Sequence, residues 1–225
     1  VIVGGGYIGL EVAAVARKNG LDVTVLETAN RVLARVVDPI VSRFYERVHA
    51  EAGVKICTDV TVVGFEGDAS QNVTGVNAGD GRIFPCDFVV VGIGILPNAE
   101  IAEMAGLKVE NGIVVDECTR TSDPDIFAAG DAMMGKEKPY HQVPWFWSDQ
   151  YDLKLQIAGL SQGYTQAVTR GNPDTDNNFA VFYLKDGVLI AVDAVNRPPE
   201  FMMSKMLIAQ HAKLIRRGSR TKPST

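Results

Sequence analysis

The first sixteen residues restrict this chain more than any other stretch. Val1-Ile2-Val3, a β-branched run, leads into Gly4-Gly5-Gly6-Tyr7-Ile8-Gly9 and then Leu10-Glu11-Val12-Ala13-Ala14-Val15-Ala16. The last segment is rich in helix formers and has an apolar face, so the order is strand, glycine turn, helix. Gly4, Gly6 and Gly9 occupy the three glycine positions of G-x-G-x-x-G. The first glycine makes the tight turn, the second lets backbone approach a pyrophosphate, and the third lets the helix pack on the strand. Free N–H groups and the positive dipole end of the helix N-terminus would receive the phosphates.

The next elements fit that reading. Asn19-Gly20 closes the helix and Asp22-Val-Thr-Val-Leu26 forms a second strand, ending at Glu27, 18 residues past Gly9. A carboxylate at this strand end accepts hydrogen bonds from an adenosine ribose diol and repels the 2′-phosphate of NADP, so NAD is the expected dinucleotide. Arg31 and Arg35 follow closely, and an arginine here either accommodates a phosphate or lies on a solvated loop. Glu11, two residues past the last glycine, is read either as a surface charge complementing the helix dipole or as a carboxylate facing a nicotinamide.

Farther on, Pro39 to Ala52 predicts an amphipathic helix stopped by Gly53, and Val54 to Cys57 a strand. Val60 to Phe65 and Val73 to Val76 alternate, with turns at Glu66-Gly67-Asp68 and Gly79-Asp80-Gly81, as in an inserted β-meander. Cys86 to Val91 is a continuous apolar run, expected as a strand buried on both faces, and it ends at Gly92-Ile93-Gly94. Asn98 to Gly106 predicts a short helix and Gly112 to Val115 a strand. A second buried strand is expected at Ile126-Phe-Ala-Ala-Gly-Asp131, its terminal carboxylate either at a sheet edge beside small residues that clear space for a cofactor or serving as a helix N-cap.

Composition narrows the class. With 22 basic and 27 acidic residues and 46% apolar residues, the chain reads as globular, and its acidic balance argues against nucleic acid as the main ligand. The longest apolar run, Phe88 to Leu96, is too short to span a bilayer, so no membrane partner is expected. Cys57, Cys86 and Cys118 form neither a CxxC pair nor a zinc-ligand spacing, which fits a reducing cytoplasm and leaves a disulfide or peroxide reductase without its cysteine pair. His49, His141 and His211 are too scattered for a local metal motif. Residues 201–225 carry six basic and no acidic side chains, either a solvated terminus or a docking surface for an acidic partner.

Gly159-Leu-Ser161-Gln-Gly163 matches the G-x-S-x-G of a nucleophile elbow, but an elbow needs a helix after the serine and Tyr164 to Thr169 is β-rich. A hairpin connection is expected instead. Strands are predicted at Phe179–Leu184 and Val188–Val192 around Lys185-Asp186-Gly187, and a helix from Glu200 to Ile215 with Met203, Leu207 and Leu214 toward the core.

Taken together, Val1–Glu11, Gly92–Pro97 and Thr121–Asp131 resemble the two-dinucleotide-binding-domain flavoprotein reductases. Residues 144–163, Pro-Trp-Phe-Trp-Ser-Asp-Gln-Tyr-Asp-Leu-Lys-Leu-Gln-Ile-Ala-Gly-Leu-Ser-Gln-Gly, are similar to the C-terminal domain of NADH-dependent ferredoxin reductases of the putidaredoxin reductase and aromatic-ring dioxygenase type. This resemblance implies FAD and NAD as cofactors, hydride transfer from NADH to the flavin, and single-electron delivery to a [2Fe–2S] ferredoxin. By motif match it implies that Gly6, Ile8, Glu11, Glu27, Thr28, Arg35, Ile93 and Gly94 contact NADH. It also implies that Asp131 binds the flavin's ribityl and pyrophosphate portion, and that Trp147 lies near the isoalloxazine. Trp145 and Trp147 share a strand face, where core packing is the alternative role.

The expected fold is α/β: a Rossmann-like NAD-binding domain with a β-meander insertion (1–95), a remnant of an FAD-binding domain (96–142) and a C-terminal α+β reductase domain (143–225). Relative to the family pattern, a glycine-rich βαβ unit upstream of Val1 and a segment after Asp131 are missing. The chain is therefore expected to be an incomplete reductase, or a fragment that binds NAD without flavin or turnover.

Overall fold

The computed structural model describes residues 1–128 and 143–214. Residues 1–93 and the stretch from Val143 onward form one compact unit, and residues 94–142 form a second.

The first unit begins as two βαβ steps with parallel strands. β1 (Ile2–Val3), α1 (Tyr7–Lys18), β2 (Thr24–Leu26), α2 (Pro39–Glu51), β3 (Lys55–Cys57) and β7 (Val90–Val91) build a four-stranded parallel sheet in the order β3-β2-β1-β7. A separate antiparallel meander, β4 (Val62–Gly67), β5 (Val73–Ala78) and β6 (Ile83–Pro85), lies between β3 and β7 in sequence. Its Val76, Ala78 and Phe84 pack with Val3 and Leu26 of the parallel sheet. On that sheet's other face, Ile2 and Val25 meet Ala13 of α1.

β7 departs from expectation. The run from Cys86 forms only two strand residues, and Phe88 and Val91 are half exposed. Among the described residues β7 is the edge of the parallel sheet and pairs only with β1, so its hydrophobicity is not matched by cover on both faces.

The C-terminal stretch is a five-stranded antiparallel sheet, β10 (Trp145–Gln150), β11 (Leu153–Gly159), β12 (Gln166–Arg170), β13 (Phe179–Lys185) and β14 (Val188–Val195), in the order β10-β11-β14-β13-β12. β13 and β14 form the expected hairpin, with Asp186 and Gly187 at φ 52° and 81° in the two left-handed positions that a tight Asp-Gly turn requires. The Gly159–Gly163 segment is not a hairpin: β11 and β12 do not pair, and the segment crosses the sheet to its far edge. No helix follows Ser161, so the nucleophile elbow is excluded on geometry.

One face of this sheet packs on the dinucleotide-binding half. Leu155, Ile157, Phe179, Val181 and Tyr183 share a single core with Leu10 of α1 and Val41, Phe44 and Tyr45 of α2. The other face is covered by α4 (Pro198–Ala209), whose Phe201 is buried among Ala158, Ala180, Val192 and Ala194. The layers therefore run meander, parallel sheet, α1 and α2, antiparallel sheet, α4. α4 also corrects an expectation: Met202, Met203 and Met206 are exposed and Leu214 is partly so, because Phe201, Ser204 and Ile208 set the inward stripe one residue out of phase with Met203 and Leu207.

The second unit contains α3 (Glu100–Met104) and the small hairpin β8 (Val109–Glu110) and β9 (Gly112–Ile113). Ile126 and Phe127 do not form the expected buried strand: they are partly exposed, and Phe127 makes one isolated bridge, to Arg120. Among the described residues no helix is long and apolar enough to cross a membrane.

Candidate dinucleotide site

The site sits where a doubly wound sheet places ligands, at the carboxyl ends of β1, β2 and β7. Gly4 has φ 105°, and a Cβ there would lie 2.4 Å from the Gly92 carbonyl oxygen, so the turn after β1 presses against the turn after β7. A Cβ on Gly9 would lie 2.0 Å from the Gly4 carbonyl oxygen. Gly4 and Gly9 thus close the loop onto itself and onto α1. Gly6 differs: its φ of −79° suits any residue, and nothing lies within 4 Å of an added Cβ. The open side of the loop is at Gly6, where backbone approach to a phosphate is needed. Gly6 caps α1 without a side-chain hydrogen bond and no acidic residue occupies the first turn, so the N-terminal N–H groups remain directed outward.

Glu27 is fixed rather than free. Its Oε2 accepts the Gly5 N–H at 2.6 Å and its Oε1 accepts the Ala29 N–H at 2.8 Å, which ties the end of β2 to the glycine turn. A carboxylate offers about four acceptor positions, so each oxygen keeps capacity for a ribose hydroxyl.

The two arginines separate. Arg31 donates to the carbonyls of Val37 and Ala34 and to Ser42 Oγ at 2.6–3.0 Å, and so staples the loop before α2. Arg35 is exposed, with one long contact of 3.4 Å from Nη2 to the Ile93 carbonyl, which brings these two candidate residues together. Thr28 is exposed and its Oγ1 donates to the Val60 carbonyl at 3.4 Å. Ile8 and Ile93 each project largely into solvent, 62% and 63% exposed. Gly94, the first residue of the second unit, has φ 124° and open space at its Cβ position. Asp131 lies outside the described residues.

Glu11, on α1, meets a residue the sequence did not single out. Ser148 Oγ donates to Glu11 Oε1 at 2.6 Å from the start of the C-terminal sheet, 137 residues away. Alternation along β10 explains the contact. Phe146, Ser148 and Gln150 point toward α1 and α2, with the Phe146 ring edge-on to Tyr7 at 4.5 Å, while Trp145 and Trp147 point the other way. The two tryptophans stack at 5.5 Å and are 47% and 54% exposed, with Lys205 Nζ 4.6 Å from the Trp145 ring centre.

The described residues therefore present one glycine turn open at Gly6, an anchored carboxylate with spare acceptor capacity at Glu27 and exposed apolar side chains at Ile8 and Ile93. For a flavin they present the exposed Trp147 ring and no second glycine cradle.

Comparison with known proteins accounts for this combination. The family model described as "Pyridine nucleotide-disulphide oxidoreductase" matches residues 1–152, and "Reductase C-terminal" matches residues 145–219. Putidaredoxin reductase CamA of Pseudomonas putida is 46% identical over 242 aligned residues, covering 92% of this chain and 56% of that protein. The ferredoxin–NAD(+) reductase component of the anthranilate 1,2-dioxygenase system of Burkholderia cepacia is 38% identical, over 94% of this chain and 59% of that protein. Among solved structures, the covalent putidaredoxin reductase–putidaredoxin complex matches with a TM-score of 0.88 at 44% identity, over 95% of this chain and 58% of that one. The ferredoxin reductase for the CYP199A2 system from Rhodopseudomonas palustris matches with a TM-score of 0.89 at 39% identity, over 95% of this chain and 60% of that one. The chain thus spans less than two thirds of the length of these relatives. The alignment to putidaredoxin reductase, at 242 positions, is longer than the 225-residue chain itself, so that relative carries residues inside the matched stretch that this chain lacks. On the strength of these matches, the chain belongs to the pyridine nucleotide-disulphide oxidoreductase family.

Proposed function

We propose that this chain is the NADH-binding and C-terminal part of a cytoplasmic ferredoxin–NAD(+) reductase. In that reading residues 1–95 form the NAD domain, 96–142 what remains of the FAD domain, and 143–225 the reductase C-terminal domain. NADH is the electron source and a [2Fe–2S] ferredoxin the acceptor. FAD, when bound, supplies the change from two-electron hydride chemistry to single electrons. The chain's own residues bind and orient. Gly6 admits the pyrophosphate, Glu27 accepts the ribose diol, Ile8 and Ile93 flank the dinucleotide with Thr28, Arg35 and Gly94 beside it, Glu11 meets the nicotinamide, and Trp147 offers a ring face to the flavin.

The observation that carries this reading is the pairing of an open Gly6 with a Glu27 carboxylate anchored on the Gly5 N–H. A second reading, an NAD-binding chain without turnover of its own, is favoured by the single glycine cradle among the described residues. Flavin absorbance of the purified chain, before and after incubation with FAD and then with NADH under anaerobic conditions, separates the two. Bleaching of a bound flavin is expected for the reductase. A colourless preparation that FAD cannot reconstitute leaves NADH binding alone.

A further inference from the structure

Behind Glu11 runs a row of hydrogen bonds with one direction. A carboxylate only accepts, so Ser148 Oγ donates to Glu11 Oε1 and must itself accept, which it does from Gln150 Nε2 at 3.1 Å. That turns Gln150 Oε1 toward His49 Nε2 at 2.8 Å, so Nε2 carries the imidazole hydrogen. His49 Nδ1 is then the acceptor for the Tyr151 hydroxyl at 3.1 Å. Four side chains from β10, its following turn and α2 therefore donate in sequence, from Tyr151 through His49, Gln150 and Ser148, and the row ends on Glu11 of α1 as acceptor.

Ser148, Gln150 and His49 are all fully buried, so each is held by its partners and not by water. His49 remains neutral, since burial lowers its pKa against a smaller opposing effect of the Gln150 bond. Aligned donors in a low-dielectric interior polarise one another, and a row with a single direction holds its terminal acceptor in one rotamer. Among the described residues Glu11 Oε2 has no hydrogen-bond partner.

We propose that Ser148, backed by Gln150, His49 and Tyr151, is the positioning residue of the dinucleotide site: it holds Glu11 in one rotamer with Oε2 left to accept the N–H of a nicotinamide carboxamide. This rests on the reading of Glu11 as the residue that meets the nicotinamide.

Calorimetric titration of the full chain with NADH and with ADP-ribose, which lacks the nicotinamide, tests it. Ser148→Ala is expected to weaken NADH about fivefold, the cost of a lost preorganised rotamer, and to leave ADP-ribose unchanged. Glu11→Ala should lose NADH affinity at least as strongly. If Ser148→Ala binds NADH as the wild type does while Glu11→Ala does not, positioning by Ser148 is overturned. If neither variant changes NADH affinity, the role of Glu11 falls with it, and if the wild type binds no ADP-ribose, the dinucleotide reading itself fails. Because Ser148→Ala leaves a buried Gln150 amide unpaired and can unfold the chain, nitrogen-15 NMR of His49 in the wild type provides an independent arm. The Nε2-protonated tautomer is expected at neutral pH, and the Nδ1-protonated tautomer would overturn the row's direction.

Discussion

A methyl group added at Gly6 and one added at Gly9 meet opposite surroundings. At Gly9 it would stand 2.0 Å from a backbone oxygen, which no rotamer change relieves, so Gly9→Ala should lower stability by about 1–3 kcal/mol, the usual range for overpacking. At Gly6 it would meet nothing, so Gly6→Ala should stay within about 0.5 kcal/mol of the wild type. Gly6→Ala should nevertheless lose most NADH affinity, because the methyl fills the space a pyrophosphate needs. Urea unfolding and NADH titration of both variants check the pair; an unstable Gly6→Ala or a normally stable Gly9→Ala would contradict the assignment. The residues behind Glu11 were not legible in the same way. The strand–turn–helix around the glycines is local and visible in sixteen residues, whereas Ser148 and Gln150 stand only as members of the 144–163 stretch with no role of their own, His49 stands alone, and only the folded chain brings them to Glu11.

At the scale of elements, period was readable and phase was not always so. The alternation of β10 placed Trp145 and Trp147 on one face, and they are there. That the face is exposed depends on which elements cover the sheet, and this is long-range information. α4 starts within two residues of its expected start but ends at Ala209, short of the expected Ile215, and its methionines lie outside because an aromatic residue, Phe201, and a small one, Ser204, make the tighter contact with the sheet. α2 was legible at its start. Asp38 caps it by accepting the Ile40 N–H at 2.8 Å, Pro39 fills the first turn, and Tyr164 of the C-terminal stretch donates to the other Asp38 oxygen at 2.7 Å. Asp38→Ala should cost about 1 kcal/mol for the cap, with a further loss for the Tyr164 bond. Tyr164→Phe alone should cost less, since it removes the bond and keeps the cap. Equal urea midpoints for both variants and the wild type would show that neither contact contributes.

Across the whole molecule, the junction of the two halves buries a polar cluster. Tyr183, which accepts the Asp38 N–H, donates to Asp193 in a fully buried site, and the hydroxyls of Tyr7 and Tyr45 are buried nearby without hydrogen-bond partners among the described residues. Burial, opposed by the Tyr183 bond and reinforced by the charge of Asp38, raises the Asp193 pKa from 3.8 to about 7. The folded chain then holds a proton that the unfolded chain has released across that window, so this group's contribution to stability is full below pH 3.8 and falls as pH rises toward 7. The total fall is roughly 4 kcal/mol at 1.36 kcal/mol per pKa unit. Asp193→Asn keeps an acceptor for Tyr183 and cannot ionise. Its urea midpoint should therefore gain on the wild type between pH 4 and 7, and a constant difference would contradict the assignment.

The same junction couples the glycine cradle to the C-terminal sheet, through Tyr7 on Phe146 and Glu11 on Ser148; in the proposed function this cradle takes NADH, with Glu27 at the ribose. Calorimetric titration of the full chain with NADH and with NADPH, in the wild type and in Glu27→Ala, tests this most directly. The wild type is expected to prefer NADH, and Glu27→Ala to weaken NADH about tenfold, as for one lost charge-assisted hydrogen bond, while NADPH changes little. Equal losses for both nucleotides, or no binding of either by the wild type, would contradict it.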